Sequence, residues 1–427
     1  MFIALALLVT ALQVPALAWN NTTQYLTGLG QALQGTGLTT LGSQAGRLNN
    51  TVIGRALLAR LLLGNYTLFA PDNEAFANAT NSSSLSSDDN LFALTILYHI
   101  VSGNFSSNNG TNSTSGTNAT LEAATYPNVT IGRTLLDDPS VVQLEGNKSQ
   151  VLVWSSVDGT VQMYNQPTSV SVQNSTVVEN LFVNRINGIL LIPPNVSDVL
   201  TAQNLTYLAG FLNSTSVTSS NGTNETVTDL LDGDSVHGFT FFAPDNAAIE
   251  LEGFLTSVAQ NTTALLSILS NHIVNGTTVY SPSITPSENL TSTGGEPLTF
   301  TTNSSGTFVH SGSSSARIIK TDILCKNGVL HMIDRVLNNT ETNPEAASSA
   351  YESATSFIAS STTETGPVGE PTAIGSVGTN AETTNSAQGK LATVELNINT
   401  MFAAVCRRHG MGCAGYGLYL TVVVEFA

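Results

Sequence analysis

The chain has 427 residues, of which 10% are charged, and a formal net charge of −17. That length allows two or three domains, and the acidic balance gives no electrostatic footprint for nucleic acid and is repelled by anionic lipid. Of the 3 Cys, Cys406 and Cys413 sit near the C-terminus, so the domains are not a disulfide framework and must be held by ordinary apolar cores.

Residues 1–18 open with a short apolar run, Met1 to Val9, and end in Ala16-Leu17-Ala18. A small-x-small site after such a run reads as a secretory signal peptide, here without the usual basic start, and it is too short for a membrane span. Tyr25, Leu29, Ala32 and Leu33 follow helical spacing, and residues 38–63 are helix-rich, punctuated by Gly54 and Gly64. An apolar strand follows at Leu68-Phe69-Ala70, then a polar loop over 82–90 and a helix over 91–101. Residues 102–120 are almost wholly Ser, Asn, Gly and Thr and read as a glycosylated loop. Over 141–183 apolar residues alternate (Val151, Val153; Val161, Met163; Val170, Val172), and Asp158-Gly159 signals a hairpin between two of these strands. Pro193-Pro194 closes a first unit.

The second unit repeats the order. Helices are expected over 198–212 and 226–231, then a strand at Phe241-Phe242-Ala243 and a helix over 264–274. Strands follow over 298–301, 308–310 and 317–319, with a closing segment over 320–337. Helices first and strands second predict an α+β unit with helices packed on a β core. From about residue 340, Ser, Thr, Glu, Gly and Pro dominate, and such a segment reads as a disordered, Ser/Thr-rich stalk.

The two units share one stretch. Tyr66-Thr67-Leu68-Phe69-Ala70-Pro71-Asp72-Asn73 and Phe239-Thr240-Phe241-Phe242-Ala243-Pro244-Asp245-Asn246 each read as a buried strand, a stop and a helix start. Proline ends the ladder because it has no N–H to donate, and Asp72 and Asp245 suit the N-cap position. Thr67 and Thr240 are 173 residues apart, as are His99 and His272, whereas Gly188 and Gly328 are 140 apart. This spacing places about 33 extra residues in the first unit, and a repeat of this size means tandem domains.

These boxes resemble the fasciclin (FAS1) family. Its first box is the stretch above. Its second matches Tyr98-His99-Ile100-Val101 and Asn271-His272-Ile273-Val274. Its closing box is read at Asn187-Gly188-Ile189-Leu190-Leu191-Ile192 and at Asn327-Gly328-Val329-Leu330-His331-Met332-Ile333-Asp334. Asn271 departs from the family's aromatic before His, and Leu191 stands where a His is common. The resemblance covers roughly residues 22–338 and implies two tandem domains in a secreted, fungal-type surface protein. It implies adhesion without catalysis or cofactor, with matrix, cell-wall or surface-protein partners. It also makes Tyr98, His99, His272, Asp322 and Ile323 a candidate adhesion or structural motif, Asp322-Ile323 by likeness to motifs proposed for integrin contact.

The residues themselves favour bland roles. There is no nucleophile elbow, Walker A loop, dinucleotide fingerprint or H-E-x-x-H. His99 and His272 lie among apolar neighbours with no second ligand at metal spacing and read as core histidines. Asp229, Asp232 and Asp234 cluster without the twelve-residue Ca²⁺ loop pattern and read as a solvated loop. Lys320 to Leu324 reads as an edge strand, and Trp154 as core. Asn-x-Ser/Thr occurs about two dozen times, with Asn65, Asn104, Asn128, Asn204, Asn261 and Asn289 as candidate glycosylation sites. The expected organisation is a signal peptide over 1–18, domains over 19–194 and 195–338, and a stalk with an atypical end over 339–427. Two other readings stay open: a secreted polysaccharide-acting enzyme, which needs two carboxylates across a sugar cleft, and a lumenal protein of the vacuole or endomembrane system. At the C-terminus a short apolar run is interrupted by Glu425. Either the protein is secreted with this tail, or residues past about Lys390 come from a misjudged exon and the natural chain ends in a GPI signal.

Overall fold

The computed structural model describes residues 16–79, 85, 87–107, 119–218, 224–251, 261–356 and 364–369. Most of the expected signal peptide, much of the Ser/Asn loop and the end with Cys406, Cys413 and Glu425 lie outside the described residues.

The first unit begins with three helices: α1 (Ala16–Gly35), α2 (Thr39–Gln44) and, after a 3-10 turn, α3 (Val52–Leu61). Thr51 caps α3 by accepting the N–H of Gly54. Strand β1 (Tyr66–Pro71) is buried from Thr67 onward. It runs into α4 (Asn73–Asn78), and α5 (Asp89–Tyr98), capped by Asp88, then leads to β2 (Ile100–Ser102). A short ribbon, β3 (Ser106–Ser107) and β4 (Thr120–Leu121), precedes β5 (Thr130–Arg133), β6 (Val151–Val157), β7 (Thr160–Met163), β8 (Val170–Val178) and β9 (Leu181–Ile186). Asp158 and Gly159 both take positive φ (50° and 80°), as a two-residue hairpin turn between β6 and β7 requires.

The sheet order is β2-β1-β9-β8-β7-β6-β5, with β9 parallel to β1. The sheet curls until its end strands approach: the N–H of Leu135 donates to the carbonyl of Ile100 at 2.8 Å. The helices cover it, and the core joins Leu29, Leu33, Leu57 and Leu58 to Phe69, Phe92, Trp154 and Phe182.

The second unit repeats this plan. Its helices are α6 (Val196–Ala202), α7 (Thr206–Ser214) and, after the ribbon β10 (Ser216–Thr218) and β11 (Asn224–Thr226), α8 (Val227–Asp232). Then come β12 (Phe239–Pro244), α9 (Asn246–Leu251), α10 (Thr262–Ser270), β13 (Ile273–Asn275), β14 (Asn289–Thr291), β15 (Pro297–Asn303), β16 (Gly306–Ser311), β17 (Ser314–Cys325) and β18 (Gly328–Ile333). The order β13-β12-β18-β17-β16-β15-β14 is that of the first sheet, and β18 is parallel to β12. Both units are α+β.

Strand register corrects the expected closing box. Phe182 lies opposite Thr67, and Val329 lies opposite Thr240. The first unit's counterpart of Gly328 is therefore Leu181, seven residues before Gly188. The counterpart of His331 is Asn184, not Leu191, since each follows the opposed pair by two residues. Gly188 lies after β9. The string Gly-Ile-Leu-Leu-Ile imitates the box, but it has already left the sheet, and Leu191 is exposed. Only Ser314–Arg317 of β17 pairs with β16; the stretch from Lys320 pairs with β18 on one side, and Asn165 of the first unit meets the carbonyl of Asp322 and the N–H of Leu324.

Order extends beyond residue 340. Pro344–Ser356 forms a helix, α11, and Glu364–Gly369 is described as well. Tyr351 and Ala354 of α11 lie against Gly276, which sits at φ +76°. Composition misses this because α11 buries no residue completely and carries little apolar surface of its own.

Candidate functional site

Each polar residue of the repeated first box has a definite task. Asp72 accepts the N–H of Ala75 (2.7 Å) and Asp245 that of Ala248 (2.6 Å), so each caps the helix it precedes. Asn73 ties this turn to the helical layer by accepting from the N–H of Thr40 and donating to the carbonyl of Gly37. Asn246 does the same with Tyr207 and Asn204. Thr67 donates to Gly103 and accepts from Phe105, and Thr240 repeats this with Thr277 and Val279.

The two histidines are also alike. His99 ends α5 and is fully buried; its Nδ1–H donates to the carbonyl of Thr95 (2.7 Å), and its Nε2 accepts the N–H of Leu190 (3.0 Å). His272 donates to Ile268 (2.8 Å) and accepts from Leu337 (3.0 Å). Since Nε2 accepts in both, the proton resides on Nδ1. Burial pushes both pKa values down to about 4, which keeps the rings neutral at neutral pH. Each ring pins the end of a helix to the chain leaving the closing strand.

The residue before each His differs. Tyr98 is buried, and burial pushes its phenol well up. Asn271 is equally buried but saturated: its Nδ2 donates to the carbonyls of Asn339 (3.0 Å) and Glu341 (2.9 Å), and its Oδ1 accepts from Ser292. The departure from an aromatic thus anchors the chain that leaves the second unit.

Asp322 and Ile323 are each 2% exposed. Asp322 takes a positive φ of 55° beside a bulge in β17, and its carboxylate accepts the N–H (2.7 Å) and the hydroxyl of Ser281. Its own N–H donates to Nδ1 of His331 (3.3 Å), whose Nε2–H donates to Val279 (2.9 Å). Burial lowers the pKa of that histidine against the opposing pull of Asp322, and its ring stacks on Phe242. Tyr98, His99, His272, Asp322 and Ile323 therefore present no surface to a partner in this conformation.

Asp229, Asp232 and Asp234 are not brought together. Asp229 completes a capping box with Thr226, Asp232 accepts from the N–H of Ser197, and Asp234 accepts from Gln143. Among the described residues no group of three or more His, Cys, Asp or Glu is placed to hold a metal. Trp154 is core, with Nε1–H on the carbonyl of Glu122 and its ring against Phe69 and Phe105. Asn65, Asn104, Asn128, Asn204, Asn261 and Asn289 are all exposed.

Sequence reasoning missed two sets of residues. Asn180 and Asn327, each just before its closing strand, donate to two carbonyls of the helical layer: Leu61 and Gly64, and Leu231 and Val236. Correct register of the closing box would have found this pair. The second set joins the two units. Gln143 donates to Asp234 (2.7 Å), exchanges backbone bonds with Lys326 and Gly238, and neighbours Glu145, which accepts from Thr278 (2.6 Å). Gln150 donates to the carbonyl of Cys325, and Asn165 donates to Asp322 while accepting from Leu324. Behind them Ile131, Val151 and Val153 pack on Tyr280, Leu324 and Val329.

A family model described as the fasciclin domain matches residues 38–190 and 209–339. The chain belongs to the fasciclin family and carries two tandem domains. It is 27% identical over 304 residues to a fasciclin-like arabinogalactan protein of Arthroderma benhamiae, covering 68% of this chain and 64% of that relative. The chain thus spans a little under two thirds of the relative's length. Among solved structures, a FAS1 domain pair from the insect cell adhesion molecule fasciclin I matches at 15% identity with a TM-score of 0.30, covering 77% of this chain and 99% of that one. No described helix is long and apolar enough to cross a membrane.

Proposed function

We propose that this is a non-catalytic, secreted or surface glycoprotein whose two fasciclin domains serve cell adhesion or cell-wall and matrix interaction. The observation that carries the reading is how the signature side chains are used. In both copies the Asp, Asn, Thr and His of the boxes are consumed by backbone groups, so the motif is a scaffold and its outer faces are free for contact. Six exposed sequon asparagines spread over both domains support glycan display, as does the arabinogalactan name of the relative. The domains run over 19–194 and 195–338, after a signal peptide ending at residue 18, and a GPI anchor is one way such a chain stays at the surface.

The test is to tag the protein in a fungal cell, digest it with an N-glycosidase, and measure cell-to-cell and cell-to-wall adhesion with and without it. A large mass loss, a surface or medium location, and reduced adhesion on deletion are expected. An unglycosylated cytosolic product overturns the reading, and accumulation in the vacuole moves it to the lumen. Normal adhesion after deletion removes the adhesive role.

A further inference from the structure

The segment Glu364–Gly369 lies against both domains. Strand β5 ends the first sheet, where a strand usually shows unpaired backbone groups, yet all four of its residues are buried. The N–H of Val368 donates to the carbonyl of Ile131 (2.8 Å), and Pro367 bridges antiparallel to Gly132. The Val368 side chain is buried among Ile131, Val151 and Val153 of the first domain and Tyr280, Leu324 and Val329 of the second. Further upstream, the carboxylate of Glu364 meets Arg133, with Nε at 2.9 Å and Nη2 at 2.7 Å. The Arg133 side chain is only 6% exposed; its Nη1 donates to the carbonyl of Ser149, and its guanidinium lies 5.9 Å from the Tyr280 ring centre. The approach is close: a Cβ on Gly103 would fall 1.9 Å from the carbonyl oxygen of Thr365, and one on Gly369 2.7 Å from Ser283.

We propose that the domain junction is a peptide-binding site and that Glu364–Gly369 is its ligand in cis. Three elements read the segment. The open side of β5 pairs with its main chain, Arg133 takes a carboxylate, and an apolar well takes the β-branched side chain of Val368. Strand addition gives affinity while separate pockets give specificity, which is how exposed sheet edges recognise peptides. The arginine makes the case for a ligand. Without Glu364 it is a buried cation facing a carbonyl and an aromatic ring, and a buried charge stripped of its partner is strongly unfavourable. The other nearby carboxylate, Glu145, is engaged by Lys148 and Thr278. Because the segment touches both domains, it holds their relative placement, and the same segment of a second copy competes for the site.

The full-length Glu364→Ala, Val368→Asp double variant tests this against a fluorescent peptide of residues 362–370, read by anisotropy. The tethered segment has a high effective concentration, so the double variant is expected to bind the peptide at least about tenfold tighter than the unaltered chain. Adding Arg133→Ala is expected to remove that binding. Unaltered Trp154 emission, read in a Trp19→Phe background, checks that each variant folds. Equal binding by the unaltered chain and the double variant, or binding that survives Arg133→Ala, overturns the proposal. As a second measurement, the Val368 amide of the unaltered chain is expected to be protected from hydrogen exchange and to lose protection in Glu364→Ala. Exchange at the unstructured rate in the unaltered chain overturns the proposal as well.

Discussion

Replacing His99 by alanine tests the scaffold reading most directly. The substitution removes two hydrogen bonds and leaves the N–H of Leu190 buried without a partner. A buried donor left unsatisfied costs about 1–3 kcal/mol, and the cavity left by the ring adds to this, so a loss of about 2–4 kcal/mol at pH 7.5 is expected. The deficit should depend on pH. In the folded protein burial holds the pKa at about 4, against the ordinary histidine value of 6.5. Between these values the unfolded chain binds more protons than the folded one, so stability rises with pH and is lost as pH falls from 6.5 toward 4. For one such histidine the loss between pH 7.5 and pH 5 is about 2 kcal/mol. The alanine variant lacks that group, so its deficit should shrink by about 2 kcal/mol on going to pH 5. Comparing the two proteins cancels the contribution of carboxylates that titrate in the same range. The assay is urea unfolding followed by the emission of Trp154, buried in the same core, in a Trp19→Phe background. A deficit that is absent at pH 7.5, or that stays constant down to pH 5, refutes the buried, neutral arrangement.

Three other perturbations probe the same architecture. Asp72→Ala and Asp245→Ala each remove one N-cap bond and are expected to cost about 1 kcal/mol by thermal melting, with little change in far-ultraviolet dichroism. Asn327→Ala strips donors from the carbonyls of Leu231 and Val236 inside the second domain; a cost of about 1–3 kcal/mol in urea is expected, and one below about 0.5 kcal/mol contradicts the assigned role. Gly238→Ala forces a side chain at φ +74° and puts its Cβ 2.8 Å from the backbone nitrogen of Glu145. The backbone conformation alone costs about 1–2 kcal/mol, and the two domains are expected to separate into distinct melting steps, so a single unshifted transition counts against a close junction there.

Much of the plan was readable because it is local. The first box declares itself through Pro71 and Asp72, a strand stop and a helix cap fixed by chemistry within a few residues. The histidines were readable as core because their neighbours are apolar. The closing box was not, since two apolar strings compete within a dozen residues. Only pairing to β1 shows that Leu181–Ile186 is the strand and that Ile189, Leu190 and Leu191 follow it. The junction was hidden for a different reason. Gln143, Gln150 and Asn165 resemble surface polar residues and carry no periodicity, and their partners lie in the other domain: the Asp234 carboxylate for Gln143, and backbone groups for Gln150 and Asn165. Asp322 looked like a contact motif because a short polar-apolar pair says nothing about the bulge that turns its carboxylate inward.

The two copies of one fold differ in how their terminal strands are protected, and that difference accounts for the added segments. In the second domain β14 and β15 are joined by a short turn, and α11 closes over that side: the N–H of Asn343 donates to Gly294, and a Cβ on Gly295 would lie 1.8 Å from the carbonyl oxygen of Asn343. The corresponding connection in the first domain, residues 134–150, is longer and supplies Gln143, Glu145 and Gln150 to the junction. The cover over β5 is thus the second domain together with Glu364–Gly369. An uncovered strand edge invites pairing with other chains. A tandem array in which each domain carried the short turn would leave β5 open and would lack most of the polar junction. The insertion in the first unit and the ordered start of the tail therefore belong together. Both contribute to one built interface, the connection through Gln143, Glu145 and Gln150, and the tail through Glu364 and Val368.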